Sequence, residues 1–80
     1  MVTIRYFAGA RAAGGAAEER LPAVATLDEL TGLLAQRHGP RLAAVLAAAS
    51  FLVDGQSWRD RTRPLPAQAV VDVLPPFAGG

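Results

Sequence analysis

Val70-Val71-Asp72-Val73-Leu74-Pro75-Pro76-Phe77-Ala78-Gly79-Gly80 closes the chain. Its first five residues read as a strand, and the two prolines, which cannot donate to a sheet ladder, stop it. Alternation puts Val71 and Val73 on a core face and leaves Val70, Asp72 and Leu74 on the other. The opening residues Val2-Thr3-Ile4-Arg5-Tyr6-Phe7 alternate in the same way. Val2, Ile4 and Tyr6 suit the core; Thr3, Arg5 and Phe7 point away. Phe7 and Leu74 are therefore expected on the open face of one sheet, close to where the tail leaves.

The elements between follow from their punctuation. Residues 8–15 are rich in Gly and Ala and read as a loop, and Ala16 to Leu21 as a weaker strand that makes an N-terminal hairpin. Thr26 and Glu29 form a capping-box pattern at the start of the clearest helix. Leu27, Leu30, Leu33 and Leu34 make its apolar stripe, expected wholly in the core. Gly39 and Pro40 end that helix, and Pro40 opens a shorter one with Leu42, Val45, Leu46 and Ala49 inward. Phe51 to Val53 reads as a strand, Asp54-Gly55 as a tight turn, and 56–68 as irregular. The interleaving of strands and helices predicts an α+β fold, a mixed sheet packed on one main helix.

Composition excludes much. The chain has 80 residues, 51% of them hydrophobic, and a net charge of +1. A domain this small buries only about 60% of its unfolded surface, which favours function at a surface or terminus over an internal cavity. The weak charge argues against nucleic acid or an anionic membrane as partner. Without cysteine there is no disulfide, thiolate metal site or thiol nucleophile. All eight cationic side chains besides His38 are arginine. A Walker loop and a Schiff-base enzyme both need the lysine that is missing. Arg5 and Arg11 interrupt any signal-peptide core, and the apolar stretch from Leu42 to Val53 falls short of the roughly 20 residues needed to span a bilayer. A cytoplasmic location is expected.

The tail carries the chemistry. Pro75 and Pro76 favour an extended course away from the body. Phe77 offers an apolar anchor, Ala78 is small, and Gly79 and Gly80 lack the Cβ that would obstruct a narrow channel. The Gly80 carboxylate is then presented unhindered to another protein's active site. Adenylation makes it an electrophile, and sulfide displacing AMP leaves a thiocarboxylate.

These residues carry a resemblance. The opening Val-Thr-Ile-Arg-Tyr-Phe-Ala with Arg11, the helix from Thr26, Val53-Asp54-Gly55 and the ending Leu-Pro-Pro-Phe-Ala-Gly-Gly resemble the MoaD/ThiS family of ubiquitin-like sulfur carriers over nearly the whole chain. Within it they look most like the branch that forms the small subunit of molybdopterin synthase. One departure is Pro66-Ala67-Gln68-Ala69, where many relatives carry an acidic, glycine-containing turn. The resemblance implies a β-grasp domain over residues 1–80 with a flexible tail at 75–80. It implies no bound cofactor or metal, ATP being used by an E1-like adenylating/sulfurtransferase enzyme. It also implies a large catalytic subunit that receives the tail, in a heterotetramer. The Gly80 thiocarboxylate would give its sulfur to a pterin precursor of the molybdenum cofactor. Arg11 becomes a rim contact beside Phe7 and Leu74.

Other readings stay open. The same tail chemistry serves thiazole, cysteine or specialised thio-metabolite synthesis. A ubiquitin-like modifier or a plain interaction module would share the fold. An autonomous enzyme finds no support in paired carboxylates or a nucleophile–base set. His38 reads as structural, complementing a helix end. Trp58 either covers the core edge or extends the interface. Arg59, Arg61 and Arg63 read as a solvated loop, with anion binding the alternative.

Overall fold

A computed structural model describes residues 1–76. The expectations for Phe77, Ala78, Gly79 and Gly80 lie outside the described residues. The chain runs β1 (Val2–Tyr6), α1 (Gly9–Gly14), β2 (Glu18–Leu21), α2 (Leu27–His38), α3 (Pro40–Ala48), β3 (Ser50–Val53), β4 (Gln56–Ser57) and β5 (Val70–Leu74). The strands form one sheet in the order β2-β1-β5-β3-β4. β1 and β5 are parallel, with Thr3 opposite Val70 and Tyr6 opposite Val73. The other pairs are antiparallel. This is the mixed sheet expected, and the fold is ubiquitin-like.

The core lies between one face of the sheet and the helices. Val2, Ile4 and Tyr6 of β1 meet Val71 and Val73 of β5, Phe51 and Val53 of β3, and Leu27, Leu30 and Leu34 of α2. Leu42 and Leu46 of α3 join them. The alternation in the first and last strands of the chain therefore placed their inward residues correctly.

The structure corrects three expectations. Residues 8–15 are not all loop, because α1 spans Gly9–Gly14. Its formation is a packing effect: Ala10 is fully buried, and Gly14 lies so close under the Tyr6 ring that an added Cβ would meet it at 3.4 Å. Six residues are too few to hold a helix by themselves, and these tertiary contacts supply what is missing. Leu33 is 43% exposed, outside the core that takes Leu30 and Leu34. The sheet covers a narrower arc of α2 than the leucine stripe spans. Finally, 56–68 is not wholly irregular, since β4 closes a hairpin on β3. Asp54 and Gly55 both take positive φ, 49° and 82°, the pairing that suits a two-residue hairpin turn.

The remaining helix signals hold. The Thr26 hydroxyl accepts from the Glu29 N–H at 3.2 Å, and Pro40 opens α3. Gly39 joins α2 to α3 at φ 96°, ψ −173°, a region essentially closed to other residues. Residues 58–68 turn to the helix side of the sheet. Arg61 O accepts from Asp28 N–H at 3.1 Å, satisfying a donor at the start of α2, and Ala25 O accepts from Leu65 N–H at 2.8 Å.

Candidate functional site

The tail leaves from the middle strand of the sheet. β5 is hydrogen-bonded to β1 on one side and β3 on the other, so the base of the tail is fixed in place. Since Tyr6 pairs with Val73, the next residues, Phe7 and Leu74, fall abreast at the same end. The Phe7 N–H continues the ladder to Val73 O at 3.3 Å. Both side chains belong to the face that the helices do not cover, and both are half-buried. Val70 and Leu52 lie on the same face, also half-buried. Because 58–68 goes to the other side, that segment does not cover the patch formed by these four residues. Pro75 is half-buried and Pro76 exposed as the chain departs.

α1 adds the charged rim. It starts two residues after Phe7, and Ala10 N–H donates to Phe7 O at 3.0 Å. That turn carries the exposed Arg11 back to β1, where its Nε donates to Tyr6 O at 3.4 Å. Phe7, Arg11 and Leu74, expected together from the sequence, are thus gathered at the strand end that emits the tail.

The centre of the same face holds an ion pair that strand alternation alone did not reveal. Arg5 Nε donates to Asp72 Oδ1 at 2.6 Å and Nη2 to Oδ2 at 2.9 Å. Asp72 was expected to face outward, and it does point to that face, yet it is only 6% exposed. The guanidinium lies over it, and the carboxylate, chiefly by hydrogen bonding, holds Arg5 above its ordinary value. A two-point pair fixes both side chains in one geometry. The Arg5 guanidinium carbon also stands 6.0 Å from the Phe7 ring centre. The parallel register, which brings Arg5 opposite Asp72, was the missing signal.

A protein-family model described as the ThiS family matches residues 4–80. The chain belongs to the ThiS family. These are the ubiquitin-like sulfur carriers of MoaD/ThiS type that its sequence resembles. No curated protein matches it. Among solved structures, this ThiS-family chain is similar to a putative molybdopterin converting factor subunit 1 from Pyrococcus furiosus. The identity is 24%, the TM-score 0.73, and 95% of this chain and 97% of that one are covered. It is similar to SAMP1 from Haloferax volcanii at 19% identity and TM-score 0.76, over 99% and 98% of the two chains. It also resembles a chain in a complex of subunits 1 and 2 of molybdopterin-converting factor from Helicobacter pylori 26695. There the identity is 22%, the TM-score 0.71, and the coverage 99% and 97%. At these identities the structures speak for the shared fold, while the family match rests on the sequence.

Proposed function

We propose that this ThiS-family chain carries sulfur as a thiocarboxylate on Gly80 for molybdopterin biosynthesis. The observation that carries the reading is the placement of Phe7, Arg11 and Leu74 around the fixed strand end from which Pro75 and Pro76 depart. A partner can grip this apolar end and its basic rim while the tail reaches into its active site. The relatives named molybdopterin converting factor subunit 1, one of them solved with its subunit 2, support the choice of pathway.

The chemistry asks little of the carrier. An E1-like enzyme binds ATP and joins AMP to the Gly80 carboxylate, releasing pyrophosphate. Sulfide attacks the acyl carbon, AMP leaves, and a C-terminal thiocarboxylate remains. The chain has no cysteine, so no side-chain thiol of its own competes as the sulfur carrier. The large subunit then receives the tail in a heterotetramer, and the thiocarboxylate sulfur passes to a pterin precursor. The carrier itself is no autonomous enzyme and binds no cofactor; catalytic residues belong to its partners. The domain spans 1–80 with 75–80 as its tail, and it works in the cytoplasm. Among the described residues no helix is long and apolar enough to cross a membrane.

Intact-mass measurement tests the proposal. After incubation with ATP, sulfide and the adenylating enzyme of its host, the mass should rise by the difference between one sulfur and one oxygen. Deleting Gly80 should abolish the gain. An unchanged mass, with the enzyme shown active on another carrier, would refute the thiocarboxylate.

A further inference from the structure

Residues 58–63, Trp-Arg-Asp-Arg-Thr-Arg, take no part in the tail chemistry, and their packing leaves a requirement unmet. Trp58 is 8% exposed, packed into the core. Its indole Nε1–H is a buried donor with no acceptor among the described residues. Folded proteins rarely leave such a donor without a partner, since it has given up water and gained nothing in return.

Trp58 lines a cavity of ≈ 250 Å³ with Ser50, Ser57, Arg59 and Arg61. Arg61 is anchored there. Its Nη2 donates to Leu46 O at 3.1 Å and Ala49 O at 3.3 Å, and its guanidinium carbon lies 4.8 Å from the Phe51 ring centre. Its Nε and Nη1 have no acceptor among the described residues. Arg59 is exposed at the rim, and the exposed Arg63 lies over the indole ring at 4.0 Å from its centre, adding a third positive charge. The acid in this loop is already committed: Asp60 Oδ1 accepts from the Thr62 N–H at 2.9 Å and the Thr62 hydroxyl at 2.6 Å. Asp60 does not line the cavity. The residues that line the cavity thus include two serines and two arginines and no carboxylate, while the Trp58 Nε1 itself is closed to solvent.

We propose that this cavity is a socket for a carboxylate, filled by an Asp or Glu side chain of the protein that receives the tail. Size argues for a side chain. Pockets for nucleotides and other ligands of that class run from about 300 to 1,000 Å³, above what is present here. Position argues for the tail's recipient. Ser50, on the cavity wall, pairs with Leu74, so the socket opens beside the strand end that emits the tail. A protein holding the tail passes over it. A carboxylate accepting from a guanidinium fixes orientation as well as adding attraction. The identity of the protein that brings the acid rests on the proposed function; the socket's chemistry does not.

The chain has one tryptophan, so a proton–nitrogen correlation spectrum contains one indole N–H signal. The full chain, labelled with nitrogen-15, is titrated with acetyl-Glu-amide at ionic strength held constant by sodium chloride. The indole signal, a reporter on a residue of the cavity wall, should shift and saturate, with acetyl-Gln-amide producing no such shift. In Arg59→Gln the dissociation constant should rise at least fivefold while the other signals stay in place, because Arg59 is exposed and carries no described hydrogen bond. No saturable shift, or an equal one with acetyl-Gln-amide, overturns the socket. Saturation by inorganic phosphate but not by acetyl-Glu-amide overturns the carboxylate assignment. A second arm uses the recipient: Arg59→Glu should weaken the complex at least tenfold and leave thiocarboxylate formation unchanged. Unweakened binding refutes the recipient's acid, whereas failure to form any thiocarboxylate counts against the proposed function alone.

Discussion

Glu19 meets three side chains from two places in the chain. The Tyr6 hydroxyl donates to its Oε1, His38 Nε2 lies 2.6 Å from the same oxygen, and Arg37 Nε lies 3.4 Å from Oε2. The carboxylate thereby ties β1 and β2 to the last turn of α2. His38 reads as structural from sequence, and Glu19 supplies the partner that sequence did not name. Tyr6 is almost fully buried, and burial first, then Glu19, pushes its hydroxyl far above the usual phenol value. The folded state therefore keeps its proton where the unfolded state, near 10, has lost it. Above that pH the native state binds more protons, and stability falls as pH rises, by at most about 1.4 kcal/mol per pH unit. Below it this contribution is fully present. The chain has one tyrosine, so phenolate absorbance follows this group alone. It should titrate only together with unfolding, and Tyr6→Phe should remove this tyrosine-linked part of the alkaline loss. A phenolate that forms in the folded protein near the ordinary value would refute this.

At the scale of elements, α2 shows how a cap and a stripe divide the work. Thr26→Ala removes the acceptor of the Glu29 N–H and should cost about 1 kcal/mol in denaturant unfolding. Leucines three positions apart should then behave differently. Leu30→Ala opens a hole in the core and should cost about 2–5 kcal/mol, while Leu33→Ala, at an exposed position, should stay within about 0.5 kcal/mol. Equal losses would mean that Leu33 packs more deeply than it does here. Periodicity alone gave both the same role, because an apolar stripe states which side of a helix is inward but not how wide an arc its neighbours cover.

For the whole molecule, the open sheet face is the surface with consequences. Phe7 and Leu74 are half-buried beside the tail's base, outside the main core. On the proposed function, Phe7→Asp should therefore lower the unfolding temperature little but weaken binding to a large-subunit partner by about 2 kcal/mol or more, roughly thirtyfold. Titration calorimetry measures it. Undiminished affinity would move the interface elsewhere. The Arg5–Asp72 pair sits within this face and keeps a carboxylate from disrupting the apolar patch.

The sequence by itself determined the inward residues of β1 and β5, the start of α2 at Thr26, the Gly39-Pro40 break and the Asp54-Gly55 turn. Each is a local matter, set by side-chain alternation, caps and backbone torsions within a few residues. It also determined the family, through motifs spread along the chain. Only the tertiary structure decided that 9–14 would be helical, that Leu33 would stay outside, and that Arg5 would meet Asp72, Glu19 would meet His38, and Trp58 would be buried with its donor unmatched. Those outcomes depend on which segments become neighbours. The parallel pairing of β1 with β5 joins residues at opposite ends of the chain, a registration that no local pattern encodes.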